Sequence, residues 1–247
     1  MKNSSDDGMK KGLAKMLRSF QYDEQWNIIY YPPKPSGFSV FIIGDHHHYV
    51  NEQDSYWLHH PHRFQLLKQL CKSGYTCFSS NMYGDHWGND ETVRFAKDLY
   101  HIVMKAEILN EKIHLFAEGR GALVALKLLN QLQNCVRSVV LLNPCLSLKE
   151  KWELEKDNKI YFKPFLKEIT KAFGEDLAEF EEVYSPINVP IKIIHVMGND
   201  SKRQFQLYQD LRKRNSAETE IVYLFPEKRY KVTAETVSFL KQYESVL

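Results

Sequence analysis

Serine is missing from the middle of this 247-residue chain, with none between Asn81 and Arg137, and histidine is missing from its end, the ten histidines stopping at His195. Cysteine is scarce as well. Cys71, Cys77, Cys135 and Cys145 form no CxxC pair, which excludes a zinc knuckle or a dithiol redox motif and fits small core residues in a reducing compartment. No apolar run approaches the roughly 18 residues that a membrane span requires. The opening "MKNSSDDGMKKGLAKMLRSF" has no secretory apolar region, because lysines interrupt it throughout. A cytoplasmic address is therefore expected. The net charge of +2, with acids and bases interspersed, leaves no nucleic-acid footprint. Internal repeats and low-complexity tracts are also absent.

What is present reads as a folded α/β chain. Hydrophobic residues make up 43% of the sequence, enough for a real core. Short apolar runs alternate with amphipathic ones, which predicts a largely parallel sheet with helices on both faces. Strands are expected in Trp26–Pro33, Phe38–Asp45, "YTCFSSNMYG", "KIHLFAEG", "VRSVVLLNP", "IKIIHVMGND" and "TEIVYLFPE". The continuous apolar runs among them mark central strands buried on both faces. Helices are expected over His62–Gly74, with the glycine at the C-terminal cap, and over "NDETVRFAKDLYHIVMKAEILN", capped by Asn89 or Asp90. A last helix starts at Thr233. From Ser147 to about Tyr184 the pattern is helical without a strand, an insertion expected to form a small helical cap at the carboxyl edge of the sheet, where ligands of open α/β sheets bind. The division expected is an amphipathic segment over 1–24, a core over 25–146 and 185–247, and the cap over 147–184.

Four stretches, in order, carry a resemblance: "KSGYTCFSSNMYGDHWGND", "IHLFAEGRGALVAL", "VVLLNPCLSL" and "YSPINVPIKIIHVMGND". Together they resemble the α/β-hydrolase superfamily, in particular its branch of serine aminopeptidases and monoacylglycerol-lipase-like esterases, over roughly residues 26–247. The resemblance implies a nucleophile on a sharp strand-to-helix turn, flanked two residues away on each side by small side chains. Ala117 and Gly121 are those residues, which puts Gly119 at the nucleophile position and Glu118 and Arg120 beside it. The acid position falls on Asp200. The base position, after the last strand, falls on Arg229 in "FPEKRYKV", and arginine stays protonated and cannot be a general base near neutral pH. Thr92 and Cys135 lie off the turn and do not replace the serine. After the third strand, "IIGDHHHYV" sets Gly44, Asp45 and His46 where the oxyanion loop belongs, and Asp45 would repel a developing oxyanion. The pair Gly119→Ser and Arg229→His is expected to rebuild the triad geometry, with Asp45 holding the rate low.

Six histidines crowd one stretch: His46, His47, His48, His59, His60 and His62, with His86 on the next loop. Their spacing matches no metal motif, but His46, His48 and His86 are candidate ligands in a converging loop cluster. The expected function is a binding pseudoenzyme, taking a small molecule under the cap or a protein or membrane partner, and needing no cofactor. The alternative is a hydrolase with metal-assisted chemistry on the histidine loops. A third expectation concerns the first residues: Met9, Leu13, Met16, Leu17 and Phe20 share one helical face, opposite Lys10, Lys11, Lys15 and Arg18, which would let Met9–Phe20 touch an anionic membrane surface. "GRGALVAL" is no phosphate loop, since no G-K-[ST] follows. "SKRQFQLYQDLRKRN" is a helix whose Phe205, Tyr208 and Leu211 face the core.

Overall fold

A computed structural model of the chain describes residues 16–156, 159–174, 186–198 and 202–245. Among these, eight strands form one sheet: β1 (Leu17–Tyr22), β2 (Gln25–Tyr30), β3 (Ser39–Ile43), β4 (Thr76–Ser80), β5 (Ile113–Glu118), β6 (Val136–Leu142), β7 (Ile191–Val196) and β8 (Thr219–Leu224). Their spatial order is β1-β2-β4-β3-β5-β6-β7-β8. β2 pairs antiparallel with both β1 and β4, and every pairing from β4 through β8 is parallel. The expected mostly parallel sheet is therefore the one observed.

Among the described residues, seven helices of two turns or more pack around the sheet: α1 (Pro61–Lys72), α2 (Asp90–Ala106), α3 (Gly121–Leu132), α4 (Leu148–Lys156), α5 (Lys159–Phe173), α6 (Lys202–Arg214) and α7 (Lys231–Gln242). The period-2 alternation of the strands sorts side chains between two cores. Phe41, Ile43, Phe78, Leu115, Ala117, Leu141 and Ile193 point to the face covered by α2, α3 and α6. Val40, Ile42, Phe116, Val140, Leu142 and Ile194 point to the face covered by α1 and α7. Tyr208 and Leu211 of α6 are buried, as their spacing predicts.

Helix ends follow local chemistry. The Asn89 side chain accepts from Thr92 N–H at 3.1 Å, a genuine N-cap. α1 closes with Gly74 at φ +97°, Gly74 N–H on Cys71 C=O at 3.0 Å and Tyr75 N–H on Leu70 C=O at 3.2 Å, a Schellman motif that satisfies the final carbonyls. Thr233 is not a cap: α7 begins at Lys231, with Tyr230 as its N-cap residue.

The amphipathic reading of Met9–Phe20 needs a larger correction. Leu17–Tyr22 is the edge strand β1, its Leu17 opposite Tyr30 and its Tyr22 opposite Gln25. Leu17 and Phe20 therefore serve the sheet and not a membrane-facing helix, and a boundary at residue 24 would cut a β-hairpin in two. Met9, Lys10, Lys11, Leu13 and Lys15 lie outside the described residues. No helix of the described residues is long and apolar enough to cross a membrane.

The chain runs from β3 through α1 to β4 on one side, then through α2 to β5 on the other side of β3. The loops leaving β3 and β5 thus diverge, and such a switch point opens a crevice at the carboxyl edge. α4 and α5 cover that crevice from the insertion between β6 and β7. They rest on a small cluster of Trp87, Leu123, Leu148, Phe165 and Ile169. Residues 175–184, the rest of the expected cap, lie outside the described residues.

Candidate functional site

The turn after β5 is the center of the site. Gly119 has φ +53°, a left-handed conformation that glycine adopts without penalty. Its N–H donates to Leu142 C=O at 3.0 Å and its C=O accepts from Cys145 N–H at 2.8 Å, which pins the turn to the loop after β6. Two residues on, a Cβ on Gly121 would stand 2.5 Å from the Gly44 carbonyl oxygen and 2.6 Å from that of Ile43. Only glycine lets α3 approach β3 so closely. Ala117 is fully buried. The small residues on either side of Gly119 do what the sequence pattern requires of them.

The space above Gly119 is filled. A Cβ built there would meet the Asp45 carboxyl carbon at 2.1 Å. Asp45 Oδ1 accepts from the Arg120 backbone N–H at 3.1 Å, and the Asp45 N–H donates to His48 Nδ1 at 2.9 Å. In this kind of turn the N–H after the nucleophile and an N–H from the loop after β3 make up the oxyanion hole. Here an internal carboxylate and an imidazole hold both donors. Asp45 thus takes the Arg120 N–H and the space that a side chain at 119 would need. Gly44 is required because His48 folds back over it, its Cβ 2.5 Å from where a side chain at 44 would begin.

Arg120 turns its side chain the other way and is 2% exposed. Its guanidinium reaches Glu168 of α5 at 3.1 Å and Asp85 at 3.2 Å, and its Nε lies 3.9 Å from Asp45. The guanidinium carbon stacks 4.7 Å from the Trp87 ring, a cation–π contact strengthened by burial. Trp87 Nε1–H also donates to Glu168, at 3.0 Å. The first residue of the turn's helix thereby ties the cap to the core. Burial pulls the Arg120 pKa down from its ordinary value, and Glu168 and Asp45 oppose the shift.

On the opposite side, Glu118 is buried and takes both ends of the Arg63 guanidinium, with Nε donating at 2.6 Å and Nη2 to the other oxygen. Burial raises the Glu118 pKa, and Arg63 works against that rise. Arg229 is exposed and lines a separate cavity of about 280 Å³ with His62, Arg63 and Tyr230. It is not among the residues lining the cavity above Gly119. Asp200 lies outside the described residues.

The histidines disperse. His47 is exposed at φ +61°, and this left-handed turn sends its neighbours apart. His48 stacks on Tyr56 at 4.0 Å, and burial lowers its pKa to about 4. His86 is buried, its Nδ1 accepting from Gly88 N–H at 3.1 Å, with a pKa lowered to about 4 by the same cause. His59 pairs with Asp54 at the surface. The trio His46, His48 and His86 is thus not a ligand set. His46 instead meets Asp85 and Glu168, a group able to hold a metal ion. Sequence reasoning missed Arg63, Asp85, Trp87 and Glu168. Asp85 and Trp87 stand inside the "GDHWGND" loop, but Glu168 carries no local signal.

Above Gly119 lies a cavity of about 610 Å³, walled by Trp87, Leu154, Tyr161, Pro164 and Phe165 and floored by Asn143, Cys145, His195 and Gln204. His195 belongs to β7 and holds the Tyr208 hydroxyl at 2.8 Å, a core contact far in sequence from the base position.

No protein-family model matches the sequence, and neither does any curated protein. Solved structures do. EstE5, soaked with p-nitrophenyl butyrate, superposes with a TM-score of 0.66 at 9% identity, over 97% of this chain and 92% of that one. Est1E from Butyrivibrio proteoclasticus gives 0.61 at 15% identity, over 92% and 98%. An esterase of the bacterial hormone-sensitive lipase family gives 0.65 at 10% identity, over 98% and 93%. Identities this low speak to architecture alone: the chain has the α/β-hydrolase fold.

Proposed function

We propose that this protein binds a small molecule beneath its cap and has no serine-type acyl-transfer activity. The observation that carries the reading is the Asp45 carboxylate, which takes the Arg120 N–H and the space that a side chain at 119 would need. Acyl transfer requires a nucleophile, a base and open donors for the oxyanion. Gly119 supplies no nucleophile, Arg229 is no base, and both donors are committed. The cavity remains, and about 610 Å³ is within the range of small-molecule pockets; its apolar walls alternate with many polar and charged side chains, among them Glu150, Lys151, Glu155 and Glu168, which suits a polar small molecule.

Two measurements on the untagged full chain test this. With p-nitrophenyl butyrate the expected rate equals that of buffer, and turnover abolished by an alkyl phosphonate would refute the reading. Native mass spectrometry should show a small molecule carried through purification. The adduct should be lost in Leu154→Trp, which narrows the cavity from a half-exposed position.

A further inference from the structure

Three donor atoms converge beside the cavity from three separate parts of the chain: His46 Nδ1 from the loop after β3 and a Glu168 oxygen from α5, both of residues that line it, and an Asp85 oxygen from the loop after β4, which borders a neighbouring cavity. All lie within 4.8 Å of one another. His46 Nδ1 is 3.3 Å from Asp85 Oδ1 and 3.9 Å from Glu168 Oε2. Ligands about 2.1 Å from a tetrahedral ion stand about 3.4 Å apart, so the spacing is that of a site needing little adjustment. The His46 Nδ1 atom is buried, yet makes no hydrogen bond with either carboxylate. A cation between these oxygens would take the Nδ1 lone pair and satisfy the buried nitrogen.

Charge balance says what that is. Asp45, Asp85 and Glu168 all turn toward one buried guanidinium, Arg120. Lys171, 3.8 Å from Asp85, is 67% exposed and largely screened. The carboxylates outnumber the buried cation here, and a divalent ion would offset the excess. Arg120 and Trp87 Nε1–H both donate to Glu168 Oε2, so Glu168 would offer its other oxygen to an ion, while Asp85 Oδ1 accepts from Arg120 and keeps a second lone pair. One imidazole with two carboxylates suits a first-row divalent ion such as zinc.

We infer that His46, Asp85 and Glu168 form a divalent transition-metal site that staples the cap to the core and leaves an open position facing the cavity. Zinc binding and small-molecule binding are read separately, so either can fail alone. The probe is zinc chloride, added to chelator-treated, untagged full chain in isothermal titration calorimetry. One equivalent should bind and raise the melting temperature. His46→Ala and Glu168→Gln should each weaken binding by more than the roughly 10–100-fold that losing an outer-shell partner causes. Either variant should also abolish the thermal shift, while His62→Ala on the exposed surface changes nothing. Glu168→Gln keeps the shape of the side chain, and circular dichroism checks that it folds. Three results would overturn the site: no saturable uptake, uptake indifferent to both variants, or a nitrogen-15 spectrum showing His46 Nδ1 protonated and unmoved by zinc, the signature of a plain ion pair.

Discussion

Replacing Gly119 with serine tests whether Asp45 truly occupies the nucleophile's space. Two costs arise, and they can be separated. A non-glycine residue held at φ +53° loses about 1–2 kcal/mol. The new Cβ also falls 2.1 Å from the Asp45 carboxyl carbon, so that carboxylate has to rotate away and abandon the Arg120 N–H. Hydrogen bonds to charged groups are worth about 1.5–3 kcal/mol. Asp45 is 38% exposed at its side chain, which points to the lower end, about 1.5 kcal/mol. The single variant should therefore lose about 3 kcal/mol by urea unfolding. In an Asp45→Ala background the carboxylate is already gone, and Gly119→Ser should lose only the backbone part, about 1–2 kcal/mol. The double-mutant cycle then yields a coupling of about 1.5 kcal/mol, well above the ~0.3–0.5 kcal/mol within which independent sites add. Equal losses in the two backgrounds would refute the reasoning, because they would mean that the carboxylate and the serine never compete for the same volume.

Two further outcomes concern charge. His48 and His86 are held neutral by burial, each with its pKa lowered to about 4, and each accepts a backbone N–H through Nδ1. A folded-state pKa below the unfolded value means that the stability these residues contribute is present above the ordinary histidine range and lost as pH falls toward 4. Unfolding titrations between pH 7 and 4 should show proton uptake of up to two equivalents from this pair, each worth roughly 3 kcal/mol. His48→Gln should remove its share of that slope, and an unchanged profile would contradict the assignment. Arg63→Ala strands the buried Glu118 carboxylate, a loss of about 3–5 kcal/mol near neutral pH. Because burial raises the folded-state Glu118 pKa, Glu118's own contribution is most favourable below the ordinary carboxylate range, where it is neutral, and declines as pH rises through the folded pKa. The variant should therefore recover part of its loss on acidification, and a loss independent of pH would show that Arg63 acts only by packing.

What the sequence revealed and what it hid divide along a physical line. Features set by a backbone requirement within a few residues were legible: the left-handed turn at Gly119, the close approach at Gly121, the Asn89 cap and the Gly74 closure of α1. The absence of serine between Asn81 and Arg137 and of histidine after His195 is likewise read directly from the sequence. β1 was not, because Leu17 and Phe20 fit a helical face as well as a strand. Only pairing with β2, and the packing of Phe20 and Tyr22 against the core that α2 covers, decides between the two.

The histidine cluster marks the same line from the other side. Six imidazoles near one another along the chain suggested a shared site, yet a single left-handed residue, His47, points His46 into the cavity and folds His48 back onto Asp45 N–H. The partners that give His46 its meaning, Asp85 and Glu168, come from 39 and 122 residues away, brought in by a cap that closes over the turn. Arg120 is where these levels meet. Its backbone N–H holds the carboxylate that blocks the turn, and its side chain holds the helix that roofs the cavity. One residue of the turn thus serves two structural tasks at once, fixing the carboxylate over Gly119 and tying the cap to the core.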